Sequence, residues 1–107
     1  MGQKTYEKNY DIVRKEVQKY IQKNMYIFDD CDFVTRNKSH IVDTGVEILM
    51  GKWKLLPQEY LGSFTEAVLN NDLMRSFSQA DDINRLAMLF FVMLIENVGM
   101  PSQIVMP

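Results

Sequence analysis

The chain predicts an all-α fold, a compact bundle of about five helices around a central, apolar C-terminal helix. Three observations carry this. Residues 86–95 (Leu-Ala-Met-Leu-Phe-Phe-Val-Met-Leu-Ile) form an unbroken apolar run between Arg85 and Glu96. A helix through them is apolar on every face, so it needs cover from the rest of the chain, a second copy or a partner. Residues 5–25 place Tyr6, Tyr10, Val13, Val17, Tyr20 and Ile21 on one helical face, with Lys4, Lys8, Lys15, Lys19 and Lys23 opposite. Finally, 5 Gly and 3 Pro in 107 residues leave little punctuation for a many-stranded β fold.

The first helix follows directly from that periodicity, and its tyrosines suit a rim or interface, with broad contact and a polar tip. Residues 26–43 are the least regular stretch. Tyr26-Ile27-Phe28 and Phe33-Val34 read as extended segments around Asp29-Asp30-Cys31-Asp32, and Arg36-Asn37-Lys38-Ser39 as a polar loop. Thr44-Gly45-Val46-Glu47 matches a capping box, expected to start a short helix with Val46, Leu49 and Met50 inside and Gly51 at its end. Pro57 suits a first helical position, and Ser63-Phe64-Thr65-Glu66 is a second capping box, leading a stripe of Phe64, Ala67 and Val68.

A further short helix starts near Asp72, with Leu73, Met74 and Phe77 expected inside. Asp81 suits the N-cap of the last helix, which runs through the apolar stretch to about Asn97, where Gly99 and Pro101 end it. The tail 102–107 either docks or frays. No repeat, low-complexity tract or linker divides the chain, so residues 1–107 read as a single helical domain.

Residues 62–73 (Gly-Ser-Phe-Thr-Glu-Ala-Val-Leu-Asn-Asn-Asp-Leu), followed by Phe77 and Ala80-Asp81-Asp82-Ile83-Asn84, are more specific than their composition. They resemble a group of short phage- and plasmid-borne proteins with the pattern Gly-x-Phe-x-x-Ala-Val-Leu-x-Asn-Asp-Leu, then Ala-Asp-x-x-Asn before an apolar helix. The likeness covers about residues 61–97. Tyr60-Leu61-Gly62 stands where the group has Pro-Gly-Gly, and the Trp-Gly-Ser-Pro after the last helix is absent. The resemblance implies a mobile-element accessory protein, a group without an assigned biochemical activity.

Several function classes find no support. There is no P-loop, dinucleotide fingerprint or CxxC pair. One Cys and one His make zinc implausible, and no cofactor or metal is expected. Cys31 and His40, with Asp43 to orient the imidazole, could form a nucleophile pair, but a small buried Cys and a polar loop His explain them as well. Asp29, Asp30 and Asp32 lack the turn Gly and closing Glu of a calcium loop and read as a solvated acidic loop. The apolar run is about half of what spans a bilayer, and the start Met1-Gly2-Gln3-Lys4 goes straight into charged residues with no apolar leader. No membrane role and a cytoplasmic setting are expected.

Net charge is −2, yet residues 1–25 hold six cations against three carboxylates, a surplus of 3, so the remainder carries −5. Lys8, Lys15, Lys19 and Lys23 could track a nucleic-acid backbone, although the tyrosines lie on the opposite face and the acidic remainder repels phosphate. Asn71, Asp72, Asp81 and Asn84 sit at helix junctions and suit capping; a polar groove for a partner is the functional alternative. The reading that results is a non-enzymatic, phage-type accessory protein that binds another protein, inhibits a host factor and can pair with a second copy. A nucleic-acid-binding regulator using the lysine face is the alternative.

Overall fold

The structure, a computed structural model, describes residues 3–28 and 31–106. Among these residues there are no strands and six α-helices: α1 (Gln3–Lys23), α2 (Cys31–Lys52), α3 (Ser63–Leu69), α4 (Leu73–Gln79), α5 (Asp82–Leu86) and α6 (Met88–Asn97). The all-α expectation therefore holds. The centre of the bundle lies elsewhere than expected. Helix α2 packs against α1, α3, α5 and α6, and buries Val34, Ile41, Val42, Val46, Ile48, Leu49 and Met50.

Residues 26–43, expected to be irregular, lie mostly in α2, with only a 3₁₀ turn at Met25–Ile27 before it. The polar run Arg36–Ser39 lies within the helix's first half, Arg36 and Ser39 exposed and Asn37 and Lys38 half-buried, and one buried residue per turn or less (Val34, Ile41) hid the 3.6 period. A kink at Asn37 (φ −116, ψ 15) blurs it further, and the Asn37 side chain donates to the carbonyl of Phe33 one turn back. Thr44 lies within α2 and starts no helix of its own. Nor does Ser63 act as a cap: Gly62 is the N-cap of α3, and its carbonyl accepts from Glu66 N at 2.9 Å.

Helix α2 ends in a Schellman motif. Leu55 N donates to Met50 O (2.8 Å) and Lys54 N to Gly51 O (3.2 Å), with Lys54 left-handed at φ 58. The end of α3 repeats it: Asp72 N donates to Ala67 O (3.0 Å), Asn71 N to Val68 O (3.1 Å), and Asn71 is left-handed at φ 57. The expected last helix is two helices, broken at Ala87 (φ −97, ψ 8), where Ala87 N is shared between Ile83 O and Asn84 O. Leu86, Ala87 and Met88 are all good helix formers, so the sequence gives no warning of this break.

Helix α6 packs on α1, α2 and α5 and is not wrapped all round. Its inner side, Phe90, Phe91 and Leu94, is fully buried. Phe90 meets Tyr20 and Phe28 at centroid distances of 5.8 and 5.5 Å, and Phe91 meets Phe64 at 5.9 Å, edge on. These rings join α1, α2's approach, α3 and α6 in one core. At Gly45 three helices close up: a Cβ there would lie 3.0 Å from Val17 Cγ1 and 3.1 Å from Leu94 Cδ2. Arg14 on α1 is ion-paired with Asp43 on α2, and the hydrogen bond to that carboxylate raises the guanidinium pKa further.

Candidate functional site

The outer side of the last two helices is the feature the rest of the fold does not use. Leu86, Leu89 and Val92 follow one another at three-residue spacing and stand 67%, 58% and 45% exposed. They belong to the same apolar run whose alternate residues form the core. Of the three covers the sequence leaves open for the run, the rest of the chain supplies one side of α6, through α1, α2 and α5, and leaves Leu89 and Val92 exposed on the other.

Helix α4 adds a second apolar stripe. Leu73, Met74 and Phe77, expected inside, are exposed, Met74 at 83%. The inward position of α4 is Ser76, buried, with its hydroxyl donating to Asp72 O at 2.6 Å. A small residue that satisfies its own polar group lets α4 sit close on α3 and turns the three large side chains outward. The signal available in the sequence was this Ser76–Ala80 pair of small residues, four apart and both buried.

A hollow of about 260 Å³ is lined by Leu69, Asn71, Val92 and Ile95, with Lys52 and Glu96 at its edge. Asn71 thus joins the end of α3 to the last two turns of α6 around this hollow. Lys52 Nζ donates to the carbonyl of Ile95 and ties the end of α2 to the last turn of α6. A larger hollow of about 480 Å³ lies next to this one, lined by Leu56, Pro57, Leu61 and Leu69, with Lys52 and Lys54 beside it.

The junction residues are engaged in capping. Asp72 Oδ1 accepts from Arg75 N (3.1 Å) at the start of α4, and Asp81 Oδ1 from Asn84 N (2.7 Å) at the start of α5. Asn71 supplies the left-handed residue that closes α3. Asn84 is buried, and its Oδ1 has no hydrogen-bond partner. Asn71, Asp72 and Asp81 are exposed, at the ends of the helices that carry the apolar stripes.

His40 Nε2 lies 3.1 Å from Asp81 Oδ2, out of line for a hydrogen bond. Asp29, Asp30 and the Cys31 side chain lie outside the described residues, so the Cys31–His40 pair and the acidic loop have no placement. Among the described residues no three His, Cys, Asp or Glu side chains gather around a metal-sized space, and no helix is long and apolar enough to cross a membrane. Lys8, Lys15, Lys19 and Lys23 are all exposed along α1; Lys19 reaches Glu16 at 3.7 Å.

No protein-family model matches the chain, and neither does any curated protein or solved structure.

Proposed function

We propose that this protein acts by binding another protein through the apolar face of α4, α5 and α6, without catalysis, as an accessory protein of a mobile element that restrains a host factor. The observation that carries this reading is the exposure of two sets of large apolar side chains, Leu86, Leu89 and Val92 on α5 and α6 and Leu73, Met74 and Phe77 on α4. Scattered single apolar residues are normal on a surface, but large apolar side chains exposed three residues apart along a helix favour an interaction site. Asn71, Asp72 and Asp81 lie at the ends of these helices and supply a polar rim. The mobile-element setting rests on the resemblance of residues 61–97.

The test is capture from a bacterial lysate with wild-type protein and a Leu86→Gln/Leu89→Gln/Val92→Thr variant, read by mass spectrometry. A protein held by the wild type and lost by the variant is expected. Equal recovery by both contradicts the assignment of this face, and the absence of any specific protein contradicts the reading as a whole.

The exposed lysines of α1 favour a second reading, contact with a nucleic-acid backbone. It predicts salt-sensitive retention on DNA or RNA that falls when Lys8, Lys15, Lys19 and Lys23 become Glu. Lack of retention at low salt contradicts it.

A further inference from the structure

We propose that the hollow between the end of α2 and α3 binds a small organic carboxylate with an aliphatic body, the tail on the leucines of the hollow and the carboxylate beside Lys54. This goes beyond the protein-binding reading and does not depend on it. Size and lining are the first argument. The hollow measures about 480 Å³, inside the range of about 300–1,000 Å³ that small-molecule sites occupy. Leu56, Pro57, Leu61 and Leu69 supply apolar surface, and Lys52 and Lys54 stand in the same lining. An apolar pocket with a few charged groups suits a ligand that is itself apolar with one charged end.

The walls are held before anything enters. Leu55 N donates to Met50 O at 2.8 Å and fixes the start of the segment between α2 and α3, and Gly62 N donates to Glu47 Oε1 at 3.0 Å near its end. Between them Leu61 N donates to Gln58 O at 3.1 Å and closes a 3₁₀ turn. A Cβ on Gly51 would lie 2.8 Å from Leu69 Cδ1 and 3.0 Å from Leu61 Cδ2, so both leucines already pack closely on α2. A site fixed in this way has little freedom left to lose on binding.

Charge selects the head of the ligand. Glu66 also lines the hollow, but its carboxylate is paired with Arg75 at 3.3 Å. Lys52 Nζ donates to the carbonyl of Ile95. Lys54 is exposed and has no ion pair among the described residues. The hollow is therefore a positive spot within residues 26–107, whose net charge is −5. An anion is attracted there and a cation is not. Lys54 is also left-handed at φ 58, where glycine meets no Cβ penalty, so a charged side chain stands there against the local backbone preference.

The experiment is an NMR titration of the full chain at low salt with hexanoate, hexanol and hexylammonium, three probes with one tail and different heads, and then with octanoate. Saturable shifts at the methyl groups of Leu56, Leu61 and Leu69 are expected, with hexanoate bound more tightly than hexanol, and hexylammonium weakest. Octanoate binds about fifteenfold more tightly than hexanoate, at about fourfold for each of the two added methylenes. Lys54→Gly, which the left-handed backbone accommodates, weakens hexanoate about fivefold and leaves hexanol unchanged, while Lys54→Arg keeps the wild-type value. Hexanol or hexylammonium bound as tightly as hexanoate overturns the proposal, as does unchanged hexanoate affinity in folded Lys54→Gly. Shifts centred on Leu86 and Leu89, or no saturable shift at the three leucines of the hollow, overturn it as well. Circular dichroism shows whether Lys54→Gly is folded; if it is not, the comparison of hexanoate with hexanol on the wild type decides.

Discussion

Asn9 and Val105, 96 residues apart, exchange two hydrogen bonds: Asn9 Nδ2 donates to Val105 O at 2.8 Å, and Val105 N donates to Asn9 Oδ1 at 3.0 Å. The carboxamide of a buried residue on α1 thus takes the place of a neighbouring strand and pins the C-terminal tail to the first helix. Of the two outcomes the sequence left for the tail, it docks, and Ile104 packs against the core beside this clamp.

Asn9→Ala removes both bonds and truncates a buried side chain. The expected loss of stability is about 1–3 kcal/mol, accompanied by faster amide hydrogen exchange at Val105. Unchanged exchange at Val105 would contradict the clamp.

Gly45 is where α2 approaches Val17 and Leu94 most closely. Gly45→Val forces branched bulk into that approach and costs about 1–3 kcal/mol by overpacking. Gly45→Ala is milder, since a helix gains up to about 1 kcal/mol when Ala replaces Gly. Urea denaturation ranks the two; a Val variant as stable as the wild type contradicts the close packing.

Lys54 holds a left-handed conformation that glycine adopts without a Cβ penalty. Lys54→Gly therefore stabilises the protein by about 0.5–1 kcal/mol, the left-handed cost relieved less the chain entropy that glycine loses. Asn71→Gly gains less, because Asn tolerates the same region better. A destabilised Lys54→Gly protein in thermal or chemical unfolding contradicts the Schellman ending of α2.

Phe90 and Leu89 are neighbours in one apolar run, the first fully buried and the second more than half exposed. Phe90→Ala empties the centre of the ring cluster and costs about 3–5 kcal/mol. Leu89→Ala, measured at a concentration where the chain is alone, changes stability by no more than about 0.5 kcal/mol, as surface substitutions do. Similar losses for both would contradict the two-sided helix.

The sequence is legible where periodicity is strong and local chemistry is decisive. The α1 stripe appears in the structure with Val13, Val17 and Ile21 fully buried, and Asp72 and Asp81 cap the helices they precede. It is opaque where the signal is tertiary. The first half of α2 buries too few residues to show a period, and Lys54 ends that helix in a conformation that composition does not announce. The apolar face was hidden for a different reason. Hydrophobicity alone cannot separate Leu89 from Phe90, and an apolar residue kept for a partner is written in the same letters as one kept for the core.

The central claim is that Leu86, Leu89 and Val92 serve contact with another chain and not the fold of their own. The most direct measurement is urea unfolding of Leu86→Gln/Leu89→Gln/Val92→Thr against wild type, at a protein concentration low enough to keep single chains apart. Stability within about 1 kcal/mol of the wild type is the predicted result, since three exposed substitutions remove no packed core. A loss of about 3–5 kcal/mol, the size of a core truncation, would contradict it and return the whole apolar run to the interior.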